Sequence, residues 1–86
     1  MVKRPDGINA ISNDALAVLE RYTMFPWPML KTQAERNQAD PLNLTADDLE
    51  RSIDALREAI ARFSSPEKGQ KAAEELRALV TKLRGG

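Results

Sequence analysis

The side chains that most often carry chemistry are sparse in this chain and fall mostly at helix ends. Asp47, Asp48, Glu50 and Asp54 lie close together. Clustered carboxylates can hold a hard cation or share a proton. This string lacks the loop spacing and the glycine of a calcium site. The chain has no His and no Cys, which excludes the usual zinc, haem, iron–sulfur and helical di-iron ligand sets. The same gap removes the commonest nucleophile and the commonest general base, and no glycine-rich phosphate loop is present. At the start of a helix the acids instead complement the dipole. Catalytic residues, a cofactor and a metal are therefore not expected.

Ser64-Ser65-Pro66-Glu67 offers hydroxyls of the kind that kinases modify. Ser65 as a helix N-cap, with Pro66 at the first helical position and Glu67 in the first turn, accounts for these residues without modification. Leu83-Arg84-Gly85-Gly86 resembles the tail of ubiquitin-type modifiers over four residues only. The resemblance implies a conjugated diglycine terminus on a β-grasp fold. Here the preceding residues read as helix, and glycines after a helix end are ordinary. Arg51, Arg57, Arg62, Lys68 and Lys71 make a basic edge, interleaved with Asp54, Glu58 and Glu67. With 13 Lys+Arg against 13 Asp+Glu, no net field steers the chain to nucleic acid or to an acidic membrane.

The elements that must position these residues are helical. At 86 residues, 42% hydrophobic and 30% charged, the chain suits one small domain, 1–86, with a modest core. No apolar stretch approaches a membrane span. The basic residues near Met1 have no apolar run behind them, so no secretory signal is expected. Without Cys, the default location is cytoplasmic. Residues 1–7 read as a flexible arm, 8–41 as an N-terminal helix and connector, and 45–84 as a helical hairpin.

The first helix is predicted over about 12–23, with Ser12 or Asn13 as its cap, although Asn9 could begin it earlier. Pro26 is expected to stop it. Met24-Phe25-Pro26-Trp27-Pro28-Met29-Leu30 then reads as an apolar connector that the prolines hold extended, although Pro28 could also serve as the first residue of a short helix. A short helix over 29–38 follows. The hairpin is the best-marked feature, with helices at about 46–64 and 66–84. Thr45 and Asp48 have capping-box spacing, and Leu44 and Leu49 are placed as a hydrophobic staple. Leu49, Ile53, Leu56, Ile60 and Phe63 form a heptad seam. Asp47–Arg51 and Glu58–Arg62 are acid-first i,i+4 pairs. Ala72, Leu76, Leu79, Val80 and Leu83 face the seam from the last helix. A turn this short makes the two helices antiparallel. The register pairs Leu49 with Leu83, Ile53 with Leu79, Leu56 with Leu76, Ile60 with Ala72 and Phe63 with Gly69.

Two helices leave a flank beside Ala55, Ala59, Ala73 and Val80 that something must cover. The candidates are the first helix, the Met24–Leu30 segment or another molecule. The expectation is an all-α small helical bundle that acts by binding another protein, as an accessory subunit, adaptor or inhibitor-like factor. The contact residues read from the sequence are Phe25, Trp27, Met29 and Leu30, then Ala73 and Val80 on the hairpin flank. A self-associating homodimer is the first alternative, and weak nucleic-acid binding is the second.

Overall fold

The computed structural model describes residues 4–85. Four helices follow one another: α1 (Ala10–Leu19), α2 (Pro26–Arg36), α3 (Ala46–Phe63) and α4 (Pro66–Leu83). No strand occurs among the described residues, and no helix there is long and apolar enough to cross a membrane. The protein is an all-α bundle. Met1 to Lys3 and Gly86, at the ends of the expected arm and diglycine tail, lie outside the described residues.

α3 and α4 pack along each other as the expected hairpin. Thr45 caps α3 through a full capping box: its hydroxyl accepts from the Asp48 N–H, and the Asp48 carboxylate accepts from the Thr45 N–H. Leu44 and Leu49, on either side of the cap, are both buried. Burial pushes the Asp48 carboxyl up. The hydrogen bonds from the Thr45 backbone, from Arg51 and from the Thr45 side chain outweigh it and hold the group below its ordinary value. α4 begins as expected, with Ser65 accepting from the Lys68 N–H and Pro66 at the first position. Ion pairs Asp54–Arg77 and Asp47–Arg84 clasp the outer edges of the hairpin in step with its antiparallel register. Arg51 pairs with Asp48 rather than with the expected Asp47. Arg84 also reaches Glu50, and these bonds to Asp47 and Glu50 raise its pKa.

The register near the turn corrects the sequence expectation. Phe63 does not face Gly69; it is 72% exposed. A Cβ on Gly69 would lie 2.5 Å from the Arg57 carbonyl oxygen and 3.3 Å from the Ala61 Cβ. The glycine allows the α4 backbone to approach that of α3 directly. That approach leaves no room for a ring between the helices, so Phe63 turns outward.

α1 and α2 cover the hairpin. α1 packs on α4, α2 packs on α3, and the two short helices touch each other. The core runs through all four, from Leu16 and Leu19 of α1 and Leu30 of α2 to Leu56 and Leu76. The radius of gyration is 11.6 Å, against about 12 Å expected for a compact chain of this length. The chain therefore closes its own core.

The two short helices differ most from expectation. α1 starts two residues before the expected 12 because Asn9 caps it, accepting from the Ser12 N–H. Ser12 is buried instead, and its hydroxyl accepts from the Leu44 N–H. Asn9 also bonds to the Leu42 and Leu44 carbonyls, tying the start of α1 to the segment before α3. α1 ends at Leu19, short of the expected 23. The next turn tightens into bonds from Arg21 to Val18 and from Tyr22 to Leu19. The Tyr22 hydroxyl reaches Glu75 on α4, and Arg21 pairs with the same carboxylate. The arm is tied down at Arg4, whose guanidinium binds Glu20 and Asn13. The hydrogen bond to Glu20 raises the Arg4 pKa.

The Pro/Trp segment is not an extended connector. It is the first turn of α2, with Pro26 and Pro28 at its first and third positions. A helix start leaves four N–H groups without partners. Here two of the four positions are prolines with no N–H, and the Phe25 N–H donates to the Thr23 hydroxyl. Only Trp27 is left with an unmatched first-turn donor. Proline rings so close to a helix start also meet no carbonyl from a preceding turn. At its other end α2 closes with a Schellman motif. Gln38 takes a left-handed φ of 59°, its N–H donates to the Glu35 carbonyl, and the Ala39 N–H donates to that of Ala34.

Candidate functional site: an aromatic groove between α2 and α3

The described surface carries three large exposed hydrophobic side chains: Met24, Phe25 and Phe63. Phe25 and Phe63 are far apart in sequence but line one groove of about 400 Å³. Pro28, Met29, Thr32, Gln33 and Arg36 of α2 form one side of it. Ala59 and Arg62 of α3 form the other with Phe63. A shallower extension runs on past Ala55 and Glu58.

Each aromatic is placed by the local structure just described. Phe25 is the N-cap of α2 and makes no side-chain cap bond. Polar residues are favoured at that position, yet the two prolines leave a cap little to satisfy, so a hydrophobic residue is tolerated there. Phe63 is the last residue of α3, expelled from the seam by the close approach at Gly69. Two aromatic rings at 63% and 72% exposure are each costly in water. Their convergence makes a sticky patch rather than scattered surface residues.

The groove is cationic at its edge. Arg36 and Arg62 line it, and neither forms an ion pair among the described residues. Glu58 is the acid of the shallower extension. The expected Glu58–Arg62 pair is not formed. Behind the groove, Asn37 donates to the Gln33 carbonyl and to the Ser52 hydroxyl, which donates to the Asp48 carbonyl. Among the described residues no buried side-chain polar atom lacks a partner. That network fastens α2 to α3 and fixes the walls of the groove.

The residues read from the sequence as contacts separate into two groups. Phe25 is exposed on the groove. Trp27 is half-buried and packed against the core. Met29 is mostly buried and reaches the groove floor. Leu30, Ala73 and Val80 are buried in the core and present no surface to a partner. The reason is that α1 packs on α4, on the flank where Ala73 and Val80 were expected to stand open. Phe63, Arg36 and Arg62 were missed. Gly69 was the available signal for Phe63, since a glycine within a packed helix marks a close backbone approach that excludes a ring.

Among the described residues no group of three or more His, Cys, Asp or Glu side chains could hold a metal ion. Gly85 follows α4 with φ 91° and donates to the Lys82 carbonyl, so it serves as a helix terminator. Arg84 beside it is bound to Asp47 and Glu50. The resemblance to a modifier tail thus ends in a tethered helix end, with Gly86 outside the described residues. Comparison with protein-family models, curated proteins and solved structures finds no match.

Proposed function

We propose that the protein is a non-enzymatic protein-interaction module, an adaptor or accessory factor, whose docking surface is the α2–α3 groove. The observation that carries this reading is the convergence of Phe25 and Phe63 on one groove, although the core is complete without either ring. Aromatic anchors beside arginines are the composition that dominates binding energy at protein interfaces. A sequence that obeys local rules nearly everywhere tends to break them at functional sites. Phe25 at a helix cap and Phe63 outside the seam are two such breaks, and they coincide.

The test is affinity capture compared for the wild type and the Phe25→Ser/Phe63→Ser double variant, with both melts recorded. A protein retained by the wild type and lost by an equally stable variant supports the reading. Equal retention by both overturns it. The homodimer alternative is separated by sedimentation, where a mass that rises with concentration in the wild type and not in the variant would place a second copy on the groove.

A further inference from the structure

The groove has a chemistry that narrows its partner, provided the interaction reading above holds. Its floor and ends are apolar, from Met29, Ala59, Phe25 and Phe63. Its uncharged polar lining is confined to Thr32 and Gln33, and Gln33 is buried. An extended peptide laid there would leave most of its backbone N–H and C=O groups unmatched, which is costly once water is excluded. No strand edge exists among the described residues to pair with it. A helix brings its backbone hydrogen bonds with it and needs only an apolar stripe to enter a groove between two other helices.

Charge then selects among helices. Arg36 and Arg62 stand at the groove without ion-pair partners among the described residues, against the single acid Glu58. Like charges brought together across an interface oppose association, and opposite charges promote it. A second copy docked on the same patch about a two-fold axis would add a surface of the same charge bias, two more arginines against one more acid. A carboxylate-bearing helix would meet Arg36 and Arg62 with complementary charge, and arginine can bind a carboxylate through two parallel hydrogen bonds.

We infer that the groove takes an acidic amphipathic helix of another protein, with apolar side chains between Phe25 and Phe63 and carboxylates against Arg36 and Arg62. The occupant is a third helix laid beside α2 and α3. Phe25 and Phe63 provide the burial, and the two arginines fix which face and which sign of charge are accepted.

The probe is a displayed library of helical peptides with one randomised face. It is selected against the wild type, the Arg36→Glu/Arg62→Glu variant and the Phe63→Ser variant, each checked by its melt. From the wild type, the selected peptides should carry apolar residues at helical spacing flanked by Asp or Glu. From the charge-reversed variant they should carry Lys or Arg instead. Peptides selected on the wild type should bind the charge-reversed variant roughly tenfold or more weakly, and should weaken as salt rises. They should lose binding to Phe63→Ser. Peptides that need Phe63 but show no acidic preference, or are proline-rich, would overturn this inference and leave the interaction reading standing. Selection that never depends on Phe63 would overturn both. A wild-type mass in sedimentation that rises with concentration through Phe63 would assign the groove to a second copy and also overturn it.

Discussion

Gly69 lies against the backbone of α3, so that a Cβ on it would come within 2.5 Å of the carbonyl oxygen of Arg57. Neither atom is the end of a flexible side chain, so relief requires moving one helix. Gly69→Ala should therefore destabilise the protein by about 1–2 kcal/mol, because overpacking outweighs the roughly 1 kcal/mol that alanine gains in a helix. Urea unfolding measures it. A more stable variant would mean that the helices are farther apart than described.

The two groove aromatics should be nearly silent in the same measurement. Phe25→Ser and Phe63→Ser remove exposed rings, and neither should lower stability by more than about 0.5 kcal/mol. Leu30→Ala, a neighbour in the sequence whose side chain is fully buried, should cost about 2–5 kcal/mol. A large loss on Phe63→Ser would return that ring to the core and remove the basis of the groove.

Gln38 holds a left-handed backbone at the end of α2, with φ 59°. A side chain there costs on the order of 1 kcal/mol that glycine avoids. Gln38→Gly should raise the midpoint of thermal unfolding by several degrees for a domain this small. No rise would argue against the left-handed turn.

The capping carboxyl of Asp48 makes stability depend on pH in a defined direction. Its pKa is held below its ordinary value in the folded state. Its contribution is therefore full at neutral pH and is lost as pH falls through the lowered pKa. Asp48→Ala should cost about 1 kcal/mol at pH 7. The difference from wild type should close at acid pH, where the wild-type carboxyl is protonated as well. A difference that stays constant down to pH 2 would show that the charge contributes nothing.

The hairpin was legible in the sequence because its signals are local. The cap at Thr45, the box acid Asp48, the Ser65-Pro66 start and the heptad from Leu49 to Ile60 each act within one or two turns of helix. A short turn then leaves only an antiparallel arrangement. The prolines misled because their effect depends on position. Pro26 and Pro28 break a helix from inside and serve it in the first turn, and periodicity over so short a segment does not distinguish the two. Asn9 was chosen as the cap of α1 by its further bonds to Leu42 and Leu44, which are distant in sequence.

The sequence by itself determined that the chain is helical and where the long helices begin. Tertiary structure alone decided which apolar residues are surplus to the core. Ala73 and Val80 are covered because α1 packs on α4 beside them. Phe63 is exposed because the backbone contact at Gly69 closes the space that its ring would need. Hydrophobicity assigns a residue a preference for burial, but only the packing of all four helices fixes which preferences are met. Met24, Phe25 and Phe63 are the large side chains whose preferences are left unmet among the described residues, and the two phenylalanines meet at one groove.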